Sequence, residues 1–184
     1  TELSYWEDGT ICWATPKDLS AISTYVLLDT ERKITETGLD KISSGLLPAG
    51  TVLLSSRAPI GYLAVSEVPL AINQGFIAMK PKGILGTQYI LHWTLQNMDS
   101  IKSRANGSTF QEISKKSFRP ILSLLPQQGL LSEFEKMAGA LHDRVVENLK
   151  QNQRLTIIRD TLLPKLISGE LRVSDASSKV QEVV

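Results

Sequence analysis

The stretch Gln127–Leu163, QQGLLSEFEKMAGALHDRVVENLKQNQRLTIIRDTLL, decides the fold, because it reads as one uninterrupted helix. Its apolar residues Phe134, Met137, Ala138, Leu141, Val145, Leu149, Leu155, Ile158 and Leu162 recur at steps of mostly three or four, which keeps one helix face apolar. Ser132 followed three places later by Glu135 has capping-box spacing. The regular helix is expected to begin there or up to a turn earlier, with Gly129 arguing against the earlier start. Pro164 is expected to end it, since proline supplies no N–H and disfavours helix at Leu163 before it.

Ser132 to Leu163 is about 32 residues, or roughly 48 Å at 1.5 Å per residue. A helix of that length with one apolar face has to lie against a partner, and no other stretch of the sequence is long enough to be one. The partner is expected from another chain or from a further part of this one. Asn148, Gln151, Asn152 and Gln153 interrupt the stripe. They read either as amides near a coiled-coil seam, which fix register at a cost in stability, or as a solvated patch on a bundle helix.

Ahead of this arm the residues alternate between short apolar runs and turn signals. Ile11–Ala14 is a strand candidate leaving the Asp8-Gly9 turn, and Thr24–Thr37 suits an exposed strand or loop. Thr51–Ser55 is an apolar, buried strand after the Pro48-Ala49-Gly50 turn. Pro59 interrupts it, and Ile60–Val65 resumes with Gly61 at a bulge or close backbone approach. Leu70–Ile72 and Phe76–Lys80 are further strands divided by Asn73-Gln74-Gly75. A helix is expected from Gln88 to about Met98, with Tyr89, Ile90, Trp93 and Leu95 for the core, and an edge strand over Phe118–Leu124 around Pro120. The whole reads as α+β: a mixed sheet of short strands with peripheral helices over residues 1–125, a helical arm over 126–173, and a polar, disordered tail over 174–184.

With 184 residues the chain holds one good core plus an appendage. Hydrophobic residues make up 42% and charged residues 21%, which is ordinary for a soluble protein. No apolar run is long enough to span a bilayer and the amino terminus has no signal-peptide pattern, so a cytoplasmic location is expected. Thr1 in place of methionine points to a fragment or a trimmed product. The net charge of +1 neither advertises nor excludes nucleic acid, because phosphate contact needs only a local basic surface. One cysteine, Cys12, leaves no internal disulfide, and with only His92 and His142 beside it no zinc cluster. Cys12 reads as a packed strand residue sooner than as a reactive thiol.

The apparatus of an enzyme is missing. There is no phosphate-binding Gly-Lys-Ser or Gly-Lys-Thr loop, no Gly-x-Gly-x-x-Gly, no Gly-x-Ser-x-Gly elbow and no His-Glu-x-x-His. His92 in a helix and His142 on the arm read as structural or solvated, and Asp143 with Glu147 as a solvated helix face. No catalytic residue, metal or cofactor is assigned.

Thr15-Pro16-Lys17-Asp18-Leu19, Ile34-Thr35 with Gly38-Leu39, Leu47-Pro48-Ala49-Gly50-Thr51-Val52-Leu53, Ser55-Ser56-Arg57-Ala58-Pro59-Ile60-Gly61 and Asn73-Gln74-Gly75-Phe76 follow one another in this order. Gly107-Ser108-Thr109-Phe110 with Ile113, then Leu162-Leu163-Pro164-Lys165-Leu166 with Ser168-Gly169-Glu170-Leu171, continue the set. Together they resemble a target recognition domain and spacer of the specificity subunit of type I restriction-modification enzymes, over nearly all of the chain. The family joins domain to arm through Leu-Pro-Pro-x-x-x-Gln, whereas Leu125-Pro126-Gln127-Gln128-Gly129 is shortened here, which blurs where the arm starts.

The resemblance implies a DNA-reading subunit of a host-defence system that methylates and cleaves DNA. In that family two recognition domains are held apart by two long antiparallel helices in a coiled coil, and each reads half of a split double-stranded site. Methyltransferase subunits dock on the helices and bring the restriction subunit with them. One domain and one arm would make this chain half a subunit, a homodimer through the arm or part of a longer chain. The arm residues expected against a partner helix are Phe134, Met137, Ala138, Leu141, Val145, Leu149, Asn152, Leu155, Ile158 and Leu162.

Reading bases takes side chains offered to a groove, with phosphate contacts setting the register. The candidates are Lys17, Arg32, Lys33, Thr35, Arg57, Lys102, Arg104, Asn106, Gly107, Ser108 and Thr109, each of which also reads as a solvated surface residue. Arg57 reads as a turn former before it reads as a direct contact, and Asn106–Thr109 between Arg104 and Lys115 reads as a phosphate clasp. Tyr5, Trp6 and Trp13 are aromatic candidates for sugar or base contact, with core packing the simpler role for Trp13. The alternative is a protein–protein adaptor that dimerises through the arm. A small enzyme of unfamiliar type is the third reading.

Overall fold

The computed structural model describes residues 2–57, 59–107 and 111–172. By compactness the chain forms two units, Thr1–Ala140 and Leu141–Val184. The tail expected to be disordered, 174–184, lies outside the described residues.

In the first unit the short strands sort into two sheets where one was expected. β1 (Ile11–Ala14) pairs antiparallel with β3 (Arg32–Ile34) and parallel with β6 (Leu70–Ile72), in the order β3-β1-β6. β2 (Val26–Leu27), β5 (Leu63–Ser66), β4 (Val52–Ser55) and β7 (Phe76–Met79) form the second, order β2-β5-β4-β7. β4 runs antiparallel to both its neighbours, and β2 parallel to β5.

The apolar run of β4 explains the layering. Successive side chains of a strand point to opposite faces. Leu53 accordingly packs with Cys12, Ala14, Leu70, Ile72 and Phe76, while Val52 and Leu54 pack with Leu91, Ile101 and Ile113. The second sheet is thus covered on one face by the first sheet and on the other by α3 (Thr87–Gln96) and α4 (Met98–Ser103). Both of its faces are dry, which is why Thr51–Ser55 carries no polar alternation. Each fully buried leucine here contributes about 1.5–3 kcal/mol. Two of the polar residues that share this burial are bonded, Thr51 Oγ1 donating to Pro48 O at 2.6 Å and Ser55 Oγ donating to Pro59 O and accepting from Tyr62 N, each at 2.8 Å, whereas the buried Ser66 Oγ has no partner among the described residues.

Several local expectations change. The helix expected from Gln88 to about Met98 is α3, which stops at Asn97, whose side-chain amide donates to Trp93 O at 2.8 Å and so competes with the helical ladder, and the unexpected α4 follows at once. Phe118–Leu124 is no edge strand. Ser114 caps a single turn, α5 (Lys115–Phe118), and the segment to Gln127 is irregular, since Pro120 and Pro126 offer no ladder donors. Within Thr24–Thr37 lie β2 and β3, and Thr35 caps a further turn, α2 (Glu36–Leu39), by accepting from Gly38 N at 3.1 Å. α1 (Pro16–Ser20) follows Thr15, whose N–H donates to Asp18 Oδ2 at 2.8 Å.

The long helix α6 runs Gln128–Ile167, 40 residues. It starts one turn before Ser132, with Gly129 inside it. Pro164 does not end it. Proline removes a single donor, and the next turn closes when Ser168 N–H bonds to Pro164 O at 3.0 Å. The stop lies at Gly169, whose φ of +75° turns the chain out of the helix while its N–H returns to Leu166 O at 3.3 Å. The root of α6 belongs to the first unit, where Leu131 is buried and Phe134 meets the His92 ring edge-on at 5.6 Å between centroids. A coiled-coil partner is not part of the structure.

Candidate nucleic-acid interface

Backbone pairing gathers several of the sequence candidates at one end of the two sheets. β1, β4 and β6 all finish there. Asn73 N–H donates to Ala14 O at 3.3 Å, Ser56 N–H to Gly75 O at 2.8 Å and Ile113 N–H to Ser56 O at 3.0 Å. Glu112 bridges to both Arg57 and Asn106, so the segment after β4 and the segment after α4 are stitched together. Gly61, at φ +112°, lies so close to α4 that an added Cβ would come within 2.9 Å of Lys102 Cε. Arg57, Lys102, Arg104, Asn106 and Gly107 are therefore neighbours through three connected segments, although 45 or more residues of sequence separate Arg57 from the last four. Ser108 and Thr109 lie outside the described residues.

Pro16 reaches the same end, packing against Gly75, and this brings Lys17 of α1 toward it. Lys17 is highly exposed and pairs with Glu31 at 2.7 Å, a contact that raises its pKa. Arg32 opens β3 opposite Trp13. Its guanidinium sits 3.6 Å over the Trp6 ring and 5.2 Å from the centre of the Trp13 ring, and the two indoles meet edge-on at 5.0 Å. Arg32 is exposed all the same, its plane held by the indoles.

Lys33 and Thr35 lie farther along β3, toward the other end, and both side chains are engaged. Lys33 pairs with Asp29 and donates to Cys12 Sγ at 3.2 Å. Thr35 Oγ1 donates to Ser4 O at 2.8 Å besides capping α2. Desolvation pushes the Asp29 carboxyl up, yet hydrogen bonds from Lys33, the Thr30 N–H and Cys12 outweigh it and hold the pKa below the usual carboxylate value. For Lys33 burial works downward and Asp29 and Cys12 upward, with a net rise.

Beside the gathered loops a recess of about 340 Å³ is lined by Trp13, Ile42, Ile72 and Phe76 and by the polar side chains of Lys41, Ser43, Ser44, Asn73, Gln74 and Lys115. Lys41–Ser44 carried no signal in the sequence. They follow a one-turn helix, and only the fold sets them against the Asn73-Gln74 turn. A second, larger groove of about 640 Å³ is apolar and lies between α3, the irregular segment and the root of α6. Among the described residues no group of histidine, cysteine and carboxylate side chains is placed to hold a metal, and no helix is long and apolar enough to cross a membrane.

Residues 1–126 match the type I restriction modification DNA specificity domain. The chain belongs to this family. Over 155 residues it is 36% identical to the type I restriction enzyme MjaIX specificity subunit of Methanocaldococcus jannaschii, covering 82% of this chain and 35% of that protein. Identity to the HindI specificity subunit of Haemophilus influenzae is 25% over 149 residues, covering 79% and 32%. The chain thus spans about a third of the length of these relatives. Its fold resembles the crystal structure of the HsdS subunit from Thermoanaerobacter tengcongensis, with a TM-score of 0.52 at 20% identity over 93% of this chain and 41% of that one.

Proposed function

We propose that this specificity domain reads one half of a split double-stranded DNA target for a type I restriction-modification complex. The observation that carries the reading is the convergence of Arg57, Lys102, Arg104 and Asn106 at the sheet end where three strands finish, within a domain of this family. Side chains on loops braced by a rigid double sheet are held in one register, as base readout requires. Lys17 and the indole-held Arg32 extend the same basic edge.

The arm serves as the ruler and docking strut. Phe134, Met137, Leu141, Val145, Asn152 and Leu155 are exposed, and Ala138, Leu149, Ile158 and Leu162 are half-buried. Apolar side chains in that number on one helix call for a second helix, from another copy or from the other half of a longer subunit, packed antiparallel. Methyltransferase subunits, and through them the restriction subunit, assemble on this frame in the cytoplasm and supply the chemistry, while this chain supplies none.

Selection from a random duplex pool, with and without the methyltransferase subunit, tests the reading. Recovery of one short motif is expected, with affinity falling steeply as salt rises, because released counterions drive phosphate contact. Recovery of no motif under either condition rejects it. A protein–protein adaptor would show neither motif nor salt slope.

A further inference from the structure

We infer that the recess between the Lys41–Ser44 segment and the Asn73-Gln74 turn seats a backbone phosphate of the bound duplex. This rests on the DNA-reading proposal and adds a contact site outside the loops from which that proposal was built.

The chemistry of the lining favours an anion. Lys41 and Lys115 bring ammonium groups that only donate, Ser43 and Ser44 bring hydroxyls, and Gln74 brings an exposed amide, while no aspartate or glutamate is among the lining residues. Trp13, Ile42, Ile72 and Phe76 make the floor apolar, and a low-dielectric wall strengthens an ionic contact beside it. The volume of about 340 Å³ has room for a phosphate with its sugar.

Base reading fits the same recess less well. The Asn side chain pairs with adenine by using its oxygen and its nitrogen together. Asn73 has already committed Oδ1 to Gly75 N–H at 2.9 Å, a bond that shapes the turn. Asn73 is left with only its amide N–H groups to offer, as a phosphate needs. The position also suits a register-setting contact: Gly75 is bonded to Ser56, next to Arg57, so a phosphate held here lies one loop away from the reading residues.

The test uses the full chain in the assembly that selects a motif, on the selected duplex and on a scrambled one, across a salt series. Lys41→Ala and Lys115→Ala are each expected to weaken binding to both duplexes by the same factor and to lower the slope of log K against log salt by about one. Both lysines are exposed, so the urea midpoint should not move and folding is controlled for. A set of selected duplexes, each with one neutral methylphosphonate linkage, adds a second readout. Wild type should lose affinity at a particular linkage at which Lys115→Ala loses none further. Unchanged affinity and slope in both variants overturn the phosphate assignment and leave the DNA-reading proposal standing. So does a loss confined to the selected duplex. A wild-type chain that prefers no duplex brings down the reading itself, and the recess with it.

Discussion

The Glu135 carboxylate, in the root of α6, accepts the backbone N–H of Tyr89 at 2.6 Å and that of Gln88 at 3.2 Å. These are orphan donors of the first turn of α3, whose own N-cap is Gly86 and has no side chain to offer. The cap is thus supplied from a residue 46 positions away, where the negative charge also meets the positive end of the helix dipole. A Cβ on Gly86 would collide with that carboxylate, so the glycine and the glutamate form one device.

Glu135→Ala should therefore destabilise the domain by about 0.5–2 kcal/mol, the usual cost of losing a cap. Gly86→Ala should cost a similar amount by pushing the carboxylate aside. In the double variant the two losses should not add, because both remove the same pair of bonds. Urea midpoints of the three variants check this, and full additivity would show that the two residues act separately.

The Asp29–Lys33–Cys12 cluster gives a pH dependence. The folded Asp29 pKa is lowered, so its contribution is present above the unfolded value of about 3.9 and is lost as pH falls through the folded value below it. The folded Lys33 pKa is raised, so its share is present below about 10.4 and is lost only as pH rises beyond it. Asp29→Asn should lower stability across neutral pH and converge with wild type in strong acid. With the Asp29 side chain 62% exposed, solvent screening keeps the difference under about 1 kcal/mol. Chemical denaturation at a series of pH values measures it.

Strands were legible where the fold buries them on both faces. The apolar runs Thr51–Ser55, Leu70–Ile72 and Phe76–Lys80 match the observed strands to within one residue, because a dry strand leaves a continuous apolar run. The division into two sheets was not legible, since which strand pairs with which is set by tertiary contact. At the arm, Pro164 misled because one lost donor is a smaller matter than the chain-reversing glycine five residues on. The candidate site divided along the same line. Lys33 and Thr35 carry the right chemistry for DNA, but the fold spends their side chains on Asp29 and on the α2 cap. Arg57 and Asn106 are brought together through Glu112, a tertiary fact with no local trace.

Arg57 and Arg104 should separate reading from anchoring. A residue bonded to a base edge costs about 1–3 kcal/mol on truncation and relaxes preference at one position, whereas a phosphate contact weakens all sequences and lowers the salt slope by about one. Arg57 is half-buried beside the Glu112 bridge and Arg104 is exposed at the end of α4. Arg57→Ala is expected to relax the motif and Arg104→Ala to lower the slope. Position-by-position affinity on single-substituted duplexes decides, and unchanged motif and slope in both would remove them from the interface.

Arg32 should bind DNA through a side chain the protein has already immobilised. Its cation–π contact with Trp6 is worth about 0.5–1 kcal/mol at an exposed site. Trp6→Leu should take away that support and leave the charge, so DNA affinity should fall while the salt slope stays constant. Arg32→Ala should lower both.

The arm supplies the test of assembly. Leu141 is 72% exposed and Leu155 is 46% exposed in the single chain, so neither is needed to fold the unit that holds it. If the stripe meets a second helix, a charge placed on it has to be desolvated at the seam, and the pair should come apart. Leu141→Glu and Leu155→Glu are each expected to convert the associated form to a single copy in sedimentation equilibrium, without moving the urea midpoint of the reading domain. Asn152→Leu, at an amide that interrupts the stripe, should instead tighten association and loosen its register. If one domain reads one half-site as proposed, binding to a lone half-site duplex should survive in the glutamate variants, whereas binding to the split site should weaken by the loss of the linked second contact. Association that persists in both glutamate variants would place the interface off the stripe and end the ruler reading.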